Sequence, residues 1–414
     1  MRKTMRKLTQ KKRGNKGSKG SKGNKRKDKW GKGGTKKKQL NCHPSLAKGK
    51  TVVADSCLTL TVLEKIKSTY NQKHPQHRLL ANEPKALYHE ISQRFEESCK
   101  EEKCWIRNLL QVDGKTLENQ LYRPTSPADW NKNPVEWLSN IDIEAVMNQY
   151  EEAYPEFEFL GPVPIDFDDR TKKGDDTTCV SRDVCSFHLV EKVRKGKTKV
   201  GIVFNLSPST SSGSHWVSLY VHLPDSLMKS RSKSSAETVK GGFLDMGLVL
   251  GGLSEDTTTE EGEIEEGGGK GQPWNKETAY CFFFDSAGEE EPKEVAKLVA
   301  RLQKEWRTNK TLNPHGKPMY YDCNARTDGN HQKGNTECGV YSLFFLTTML
   351  SGKCAGGVVE NGEWKETEVC SAPLQEEQEK IRYFQGLVEK GGNRLLIPDA
   401  FMVQLRKYYF NPHP

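Results

Sequence analysis

The chain has 414 residues, 34% of them hydrophobic, and a net charge of +9. That length supports two or three domains and at least one full core. Its longest apolar stretch, Val340 to Leu350, is too short and too broken by Ser and Thr to cross a bilayer, which excludes a spanning helix and any membrane role that needs one.

The charge is unevenly placed. Residues 1–38 hold 18 Lys or Arg and one acid, Asp28, for a local net of +17, which leaves −8 on the remainder. Residues 1–40 are low in complexity, with the run G-S-K-G-S-K-G-N-K, and form an expected disordered polybasic tail. Such a tail, over residues 2–38, binds DNA or another polyanion through counterion release with steep salt dependence. A solubilising or nuclear-import role is the blander expectation. No apolar segment follows the basic N-terminus, so no secretory signal is read there. The 11 cysteines are an odd number in a long chain, and the expectation is a reducing compartment with most thiols free.

Residues 41–128 read as a small helical domain. Leu58, Val62 or Leu63, Ile66 and Tyr70 recur at helical spacing, followed by Leu87, Ile91 and Phe95, then Trp105, Ile106, Leu109 and Leu110. Cys42, Cys57, Cys99 and Cys104 fall in this segment at spacings that fit no zinc template, so buried free thiols are expected rather than a metal.

Residues 129–225 and 278–414 read as a second unit with α+β character. Trp137-Leu138 is expected to open a helix through Ile143, Val146, Met147 and Tyr150. Residues 198–206 (T-K-V-G-I-V-F-N-L) and 215–223 (H-W-V-S-L-Y-V-H-L) read as strands. His215 shares parity with Val217, Leu219, Val221 and Leu223, which predicts that it begins its strand on the core-facing side, opposite a packed nucleophile. Residues 226–277 are rich in Ser, Gly, Thr and Glu, with seven acids between Glu255 and Glu266, and read as a flexible insertion. Y-C-F-F-F-D is a buried strand ending on Asp285. A helix with Val295, Leu298, Val299, Leu302 and Trp306 on one face follows. V-Y-S-L-F-F-L-T-T-M-L reads as a buried helix, and residues 376–410 as a helix, a break at Pro398, then a helix or strand.

The chemistry lies in four residues taken in order. Cys338 starts the buried helix, where unpaired N–H groups favour negative charge and a nearby imidazolium favours it further. His215, beside the loop S-T-S-S-G-S, is a candidate base. Asp285 would hold the imidazole in one tautomer. Gln332, six residues before Cys338, carries a carboxamide N–H that could meet an oxyanion together with the Cys338 N–H. Each has an ordinary reading alone: a buried small hydrophobe, a core histidine, a helix cap and a loop glutamine. Together they supply a nucleophile, a base, its orienter and an oxyanion donor, as a thiol hydrolase needs.

The series H-W, apolar strand ending D-S, then Q-x5-C-G resembles the superfamily of SUMO-specific and adenain-type cysteine proteases. Within it the chain is most similar to the maturation proteases of large nucleocytoplasmic DNA viruses. W-L-S-N-I-D-I is similar to the family's W-L-N-D element, with the acid displaced by one residue. The resemblance implies a papain-like core: a central mixed sheet flanked by helices, with the cysteine at a buried helix N-terminus. It further implies Cys338 as nucleophile, His215 as base then acid, Asp285 as orienter and Gln332 as oxyanion donor, with no metal or cofactor. Trp216 and Trp137 would wall a groove too narrow for a Cβ, which implies cleavage after Gly-Gly; core packing is the ordinary reading of both. Expected substrates are viral structural polyproteins, at host cytoplasmic assembly sites and in the virion, with the nucleus open to the basic tail.

Other readings share these residues: an isopeptidase acting on SUMO or another ubiquitin-like modifier, an acetyltransferase, and a non-catalytic DNA-binding virion protein. The chain also offers Gly-Gly sites of its own. Self-cleavage after Gly34 would release the basic tail, and Gly242 and Gly252 are further candidates.

Overall fold

The computed structural model describes residues 41–46, 53, 56–99, 101–110, 114–173, 176–228, 274–325, 330–354, 356–360, 363–367, 373–386, 389–390, 393–394 and 396–413. The basic tail and most of the expected insertion lie outside them. The described residues belong to one compact unit.

Four helices open it: α1 (Leu60–Lys73), α2 (Pro84–Arg94), α3 (Glu102–Leu109) and α4 (Gly114–Leu121). Thr59 caps α1 by accepting from the Val62 N–H, and Pro84 occupies the first turn of α2, where its missing donor costs nothing. Leu63, Ile66, Leu87, Ile91, Trp105 and Ile106 close a core of their own. Each such side chain contributes roughly 1.5–3 kcal/mol of burial. Trp105 is fully enclosed, and its indole N–H donates to the Cys99 carbonyl at 2.7 Å.

The cysteines here correct an expectation. Cys42 bonds Cys57 and Cys99 bonds Cys104; later in the chain Cys179 bonds Cys185, and Cys354 is also disulfide-bonded. Cys281 and Cys338 remain thiols. Spacing alone did not reveal the pairing, because it depends on the chain returning to bring Cα atoms within 5.2–6.3 Å.

The second part is built on a five-stranded sheet in the order β1-β4-β5-β6-β7. The strands are β1 (Phe157–Pro164), β4 (Lys199–Asn205), β5 (Trp216–His222), β6 (Tyr280–Phe284) and β7 (Tyr320–Cys323); β2 (Arg170–Lys173) and β3 (Asp176–Cys179) form a separate hairpin. β1 runs parallel to β4 and β6 to β7, while β4, β5 and β6 are antiparallel, so the sheet is mixed. β5 and β6 are buried along their whole length, because helices cover both faces.

One face packs against α5 (Asn140–Ala153), α9 (Cys338–Ser351), α10 (Glu377–Phe384) and α11 (Asp399–Tyr409). The other packs against α7 (Leu189–Arg194), which follows the single turn α6 (Arg182–Cys185), and α8 (Lys293–Thr308). α9 is the central helix: Cys338 through Leu350 are all buried, as an apolar sequence without a polar face requires. It stops at Gly352, whose φ of +68° is a left-handed C-terminal conformation that glycine adopts at little cost. α5 begins at Asn140, not at Trp137. Ser139 caps it, and the Asp142 carboxylate returns to the Ser139 N–H at 2.8 Å. The acid displaced from the family element is thus engaged in capping.

Candidate active site

The site forms at one end of β5 and β6, where α9 begins. β5 starts at Trp216, so His215 stands just before the strand and its ring is not bound by strand parity. The parity argument fails in detail: Val217, Leu219 and Val221 face α8, whereas Trp216 and Tyr220 face α9 and Cys338. Both faces are apolar, so alternation could not say which one held the sulfur. The His215 carbonyl accepts from the Leu206 N–H at 2.9 Å, which fixes its backbone beside β4.

His215 Nε2 lies 2.6 Å from Asp285 Oδ1. Cys338 acts on the same ring, and its side chain favours the protonated imidazole as the carboxylate does. With Nε2 committed to the carboxylate, Nδ1 is the nitrogen left for the sulfur. Burial of the ring opposes protonation, but the hydrogen bond to Asp285, the side chain of Cys338 and the charges of both outweigh it, and the imidazole pKa rises from 6.5 to about 10.

Asp285 is the residue after β6 and is buried. Its Oδ1 also accepts from the Ala287 N–H at 2.8 Å. Asn324, the residue after β7, clamps its backbone: Asn324 Oδ1 accepts from the Asp285 N–H at 2.8 Å, and Asn324 Nδ2 donates to the Asp285 carbonyl at 2.7 Å. This clamp carried no sequence signal. It exists because β7 pairs in parallel with β6, with Phe283 opposite Cys323, which brings Asn324 beside Phe284 and within reach of the Asp285 backbone.

Gln332 is tied to the residue after Asp285. Its backbone N–H donates to the Ser286 carbonyl at 2.9 Å, and its side-chain Oε1 accepts from Ser286 Oγ at 2.7 Å. That second bond fixes which end of the amide is the donor. Nε2 donates one hydrogen to the Gly334 carbonyl at 3.1 Å, leaving the other for a further acceptor. His331 anchors the same loop from inside the core: its Nδ1 accepts from the Ile397 N–H at 3.1 Å, and Nε2 lies 2.8 Å from the Phe384 carbonyl. Accepting at one nitrogen and donating at the other requires a neutral ring.

Cys338 is the first residue of α9 and only 1% exposed. Gly339 allows close packing behind it: a Cβ there would sit 3.0 Å from Leu138 Cβ and 3.3 Å from Trp216 Cδ1. Trp216 is buried, and its indole N–H donates to the Leu138 carbonyl at 3.1 Å. Trp137, the neighbouring residue, is half-buried against the same core. The structure therefore joins His215 to Asp285 by a hydrogen bond, with Cys338 acting on the same ring, ties Gln332 to the residue beside Asp285, and places Trp216 against the start of α9. Arg406 was not singled out from sequence. From α11 it donates to the carbonyls of Thr336 at 2.8 Å and Val135 at 3.3 Å, and lies over the Trp130 ring at 4.7 Å.

Residues 198–369 match the family described as the Ulp1 protease family, C-terminal catalytic domain. His215, Asp285, Gln332 and Cys338 all fall inside that match. A protein of Acanthamoeba polyphaga mimivirus, whose name describes it as a thiol protease, is 24% identical over 288 residues, covering 68% of this chain and 71% of that one. The crystal structure of the ASFV pS273R protease aligns at 14% identity with a TM-score of 0.46, covering 91% of this chain and 97% of that one. Over residues 198–369 the chain is thus similar to the catalytic domain of the Ulp1 protease family, and it is a cysteine protease.

Proposed function

We propose that the protein is an endopeptidase that cleaves after Gly-Gly in viral structural polyproteins. The observation that carries the catalytic part is the 2.6 Å hydrogen bond between His215 and Asp285, on a ring whose protonated form Cys338 also favours. In this reading the Cys338 sulfur, as thiolate, attacks the scissile carbonyl carbon. The carbonyl electrons move onto its oxygen, where the Cys338 N–H and Gln332 Nε2 meet the charge. The imidazolium of His215 gives its proton to the leaving amine as the C–N bond breaks and a thioester remains. His215 then takes a proton from water, whose oxygen attacks the thioester. Collapse of that second intermediate expels the Cys338 thiolate and restores the pair. Asp285 keeps the ring oriented throughout.

The Gly-Gly preference is supported by Trp216, packed against Gly339 beside the sulfur, and by Trp137 next to Leu138. Flat indole walls at such a position leave room for backbone but not for a side chain. The basic tail would hold the enzyme on packaged DNA near its substrates, at cytoplasmic assembly sites and in the virion. Deleting residues 2–38 should abolish DNA binding at moderate salt; unchanged binding rejects that part.

The deciding experiment compares new protein N-termini generated in infected or reconstituted material by wild type and by Cys338→Ala. Neo-N-termini preceded by Gly-Gly in structural proteins support the proposal. Release of a ubiquitin-like modifier from conjugates, without such termini, would assign an isopeptidase instead. Intact-mass analysis of the same two samples tests cleavage after Gly34, which lies outside the described residues; identical N-termini reject it.

A further inference from the structure

We propose that Asp399, at the start of α11, is a positioning residue for the oxyanion-binding loop. It lies outside the segment matched to the protease family, residues 198–369. An acid in the first turn of a helix has an ordinary explanation, the helix dipole. Its bonds here go elsewhere. Asp399 Oδ2 accepts from the Gly334 N–H at 2.7 Å and from the Lys333 N–H at 2.9 Å, across 65 and 66 residues of chain. Its other oxygen, Oδ1, lies 3.0 Å from Tyr341 Oη, whose one hydrogen is shared between that carboxylate and the Ile397 carbonyl at 2.7 Å. Tyr341 sits on α9 one turn after Cys338. One carboxylate therefore joins the loop after Gln332 to the helix that begins at Cys338.

The Gly334 carbonyl is the acceptor that holds Gln332 Nε2. Fixing the Gly334 backbone from its N–H side fixes where that carbonyl points, and so where the remaining Nε2 hydrogen points. α11 acts on the far end of the same loop as well, because Arg406 donates to the Thr336 carbonyl, two residues before Cys338. A single helix thus holds the loop from Lys333 to Thr336 by its backbone. Charge-assisted bonds of this kind are short and strong, and two donors on one oxygen set a direction as well as a distance. The consequence is specific. Asp399 should support the steps that place negative charge on oxygen and leave the nucleophilicity of the sulfur alone.

This inference rests on the reading of Gln332 as an oxyanion donor, and its test avoids any assumption about the natural substrate. The full chain is acylated with p-nitrophenyl acetate and, separately, alkylated with iodoacetamide, with Cys338→Ala subtracted in both. Acylation passes through an oxyanion; alkylation is a displacement at carbon that does not. Asp399→Ser keeps a helix-starting residue but is too short to reach the loop, and it should lower Cys338 acylation by about tenfold or more while alkylation stays within about twofold. Asp399→Asn keeps an oxygen for both loop N–H groups and should recover acylation to within about threefold of wild type. Unchanged acylation in the Ser variant, a parallel loss of both rates, or an Asn variant as slow as the Ser variant overturns the proposal. Absence of Cys338-dependent acylation in wild type refutes the catalytic reading itself, and this inference with it.

Discussion

Replacing Asp285 by Asn separates the charge of the orienting residue from its geometry. Asp285 Oδ1 receives two donors, His215 Nε2 at 2.6 Å and the Ala287 N–H at 2.8 Å. A backbone N–H cannot change role, so an asparagine here must keep its oxygen on Ala287. That leaves the same oxygen facing His215, and the ring keeps its tautomer. Only the charge is lost. The rise of the His215 pKa from 6.5 to about 10 corresponds to on the order of 5 kcal/mol in favour of the protonated ring. It is shared between Asp285 and Cys338. Assigning about half to the carboxylate gives roughly 2–3 kcal/mol, or about a 30- to 150-fold smaller ratio of imidazolium to imidazole, which moves the alkaline limit of the protonated ring down in pH. Asp285→Asn should therefore lower kcat/KM by no more than about that factor. Asp285→Ala, which also frees the ring, should cost a further tenfold or so. The assay is peptide hydrolysis, with the pH dependence of Cys338 alkylation beside it. An Asn variant as impaired as the Ala variant would refute the orienting role given to Ala287. An Asn variant whose alkaline limit, read from the pH dependence of Cys338 alkylation, matches that of wild type would refute the electrostatic one.

The same raised pKa sets the alkaline limit of activity. The protonated form of His215 persists through neutral pH and is lost as pH rises through about 10, so its stabilisation of the fold is complete below 6.5 and disappears across that window; melting temperature and kcat/KM measured across it should fall together. Gln332→Ala should lower kcat on the order of a hundredfold with little change in KM, as loss of one oxyanion donor does, and equal losses in binding would contradict the role. Gly339→Ala puts a methyl 3.0 Å from Leu138 Cβ and 3.3 Å from Trp216 Cδ1, which should cost about 1–3 kcal/mol by denaturant unfolding and reduce activity by moving Trp216. Trp105→Ala in the helical segment should cost about 3–5 kcal/mol, read from the denaturation midpoint.

Local pattern carried much of the architecture. The buried helix at Cys338, the amphipathic α8 and the strands at 199–205, 216–222 and 280–284 follow from runs and periodicities that only one kind of element can bury. The residue types of the site were also legible, because a thiol, an imidazole, a carboxylate and a carboxamide stood each in a distinctive context. Pairing was not legible. Cys42 and Cys57 meet because the chain folds back, which no spacing rule encodes. His215 faces Cys338 although the parity of its neighbours pointed to α8, since a residue just outside a strand takes its direction from the loop. Asn324 clamps Asp285 through a parallel strand pair, and Asp399 reaches Gly334 across 65 residues. Sequence alone determined which chemical groups this protein owns and which segments must be buried. Tertiary structure decided which groups touch, because hydrogen bonds act over about 3 Å and the chain positions that supply them lie tens of residues apart.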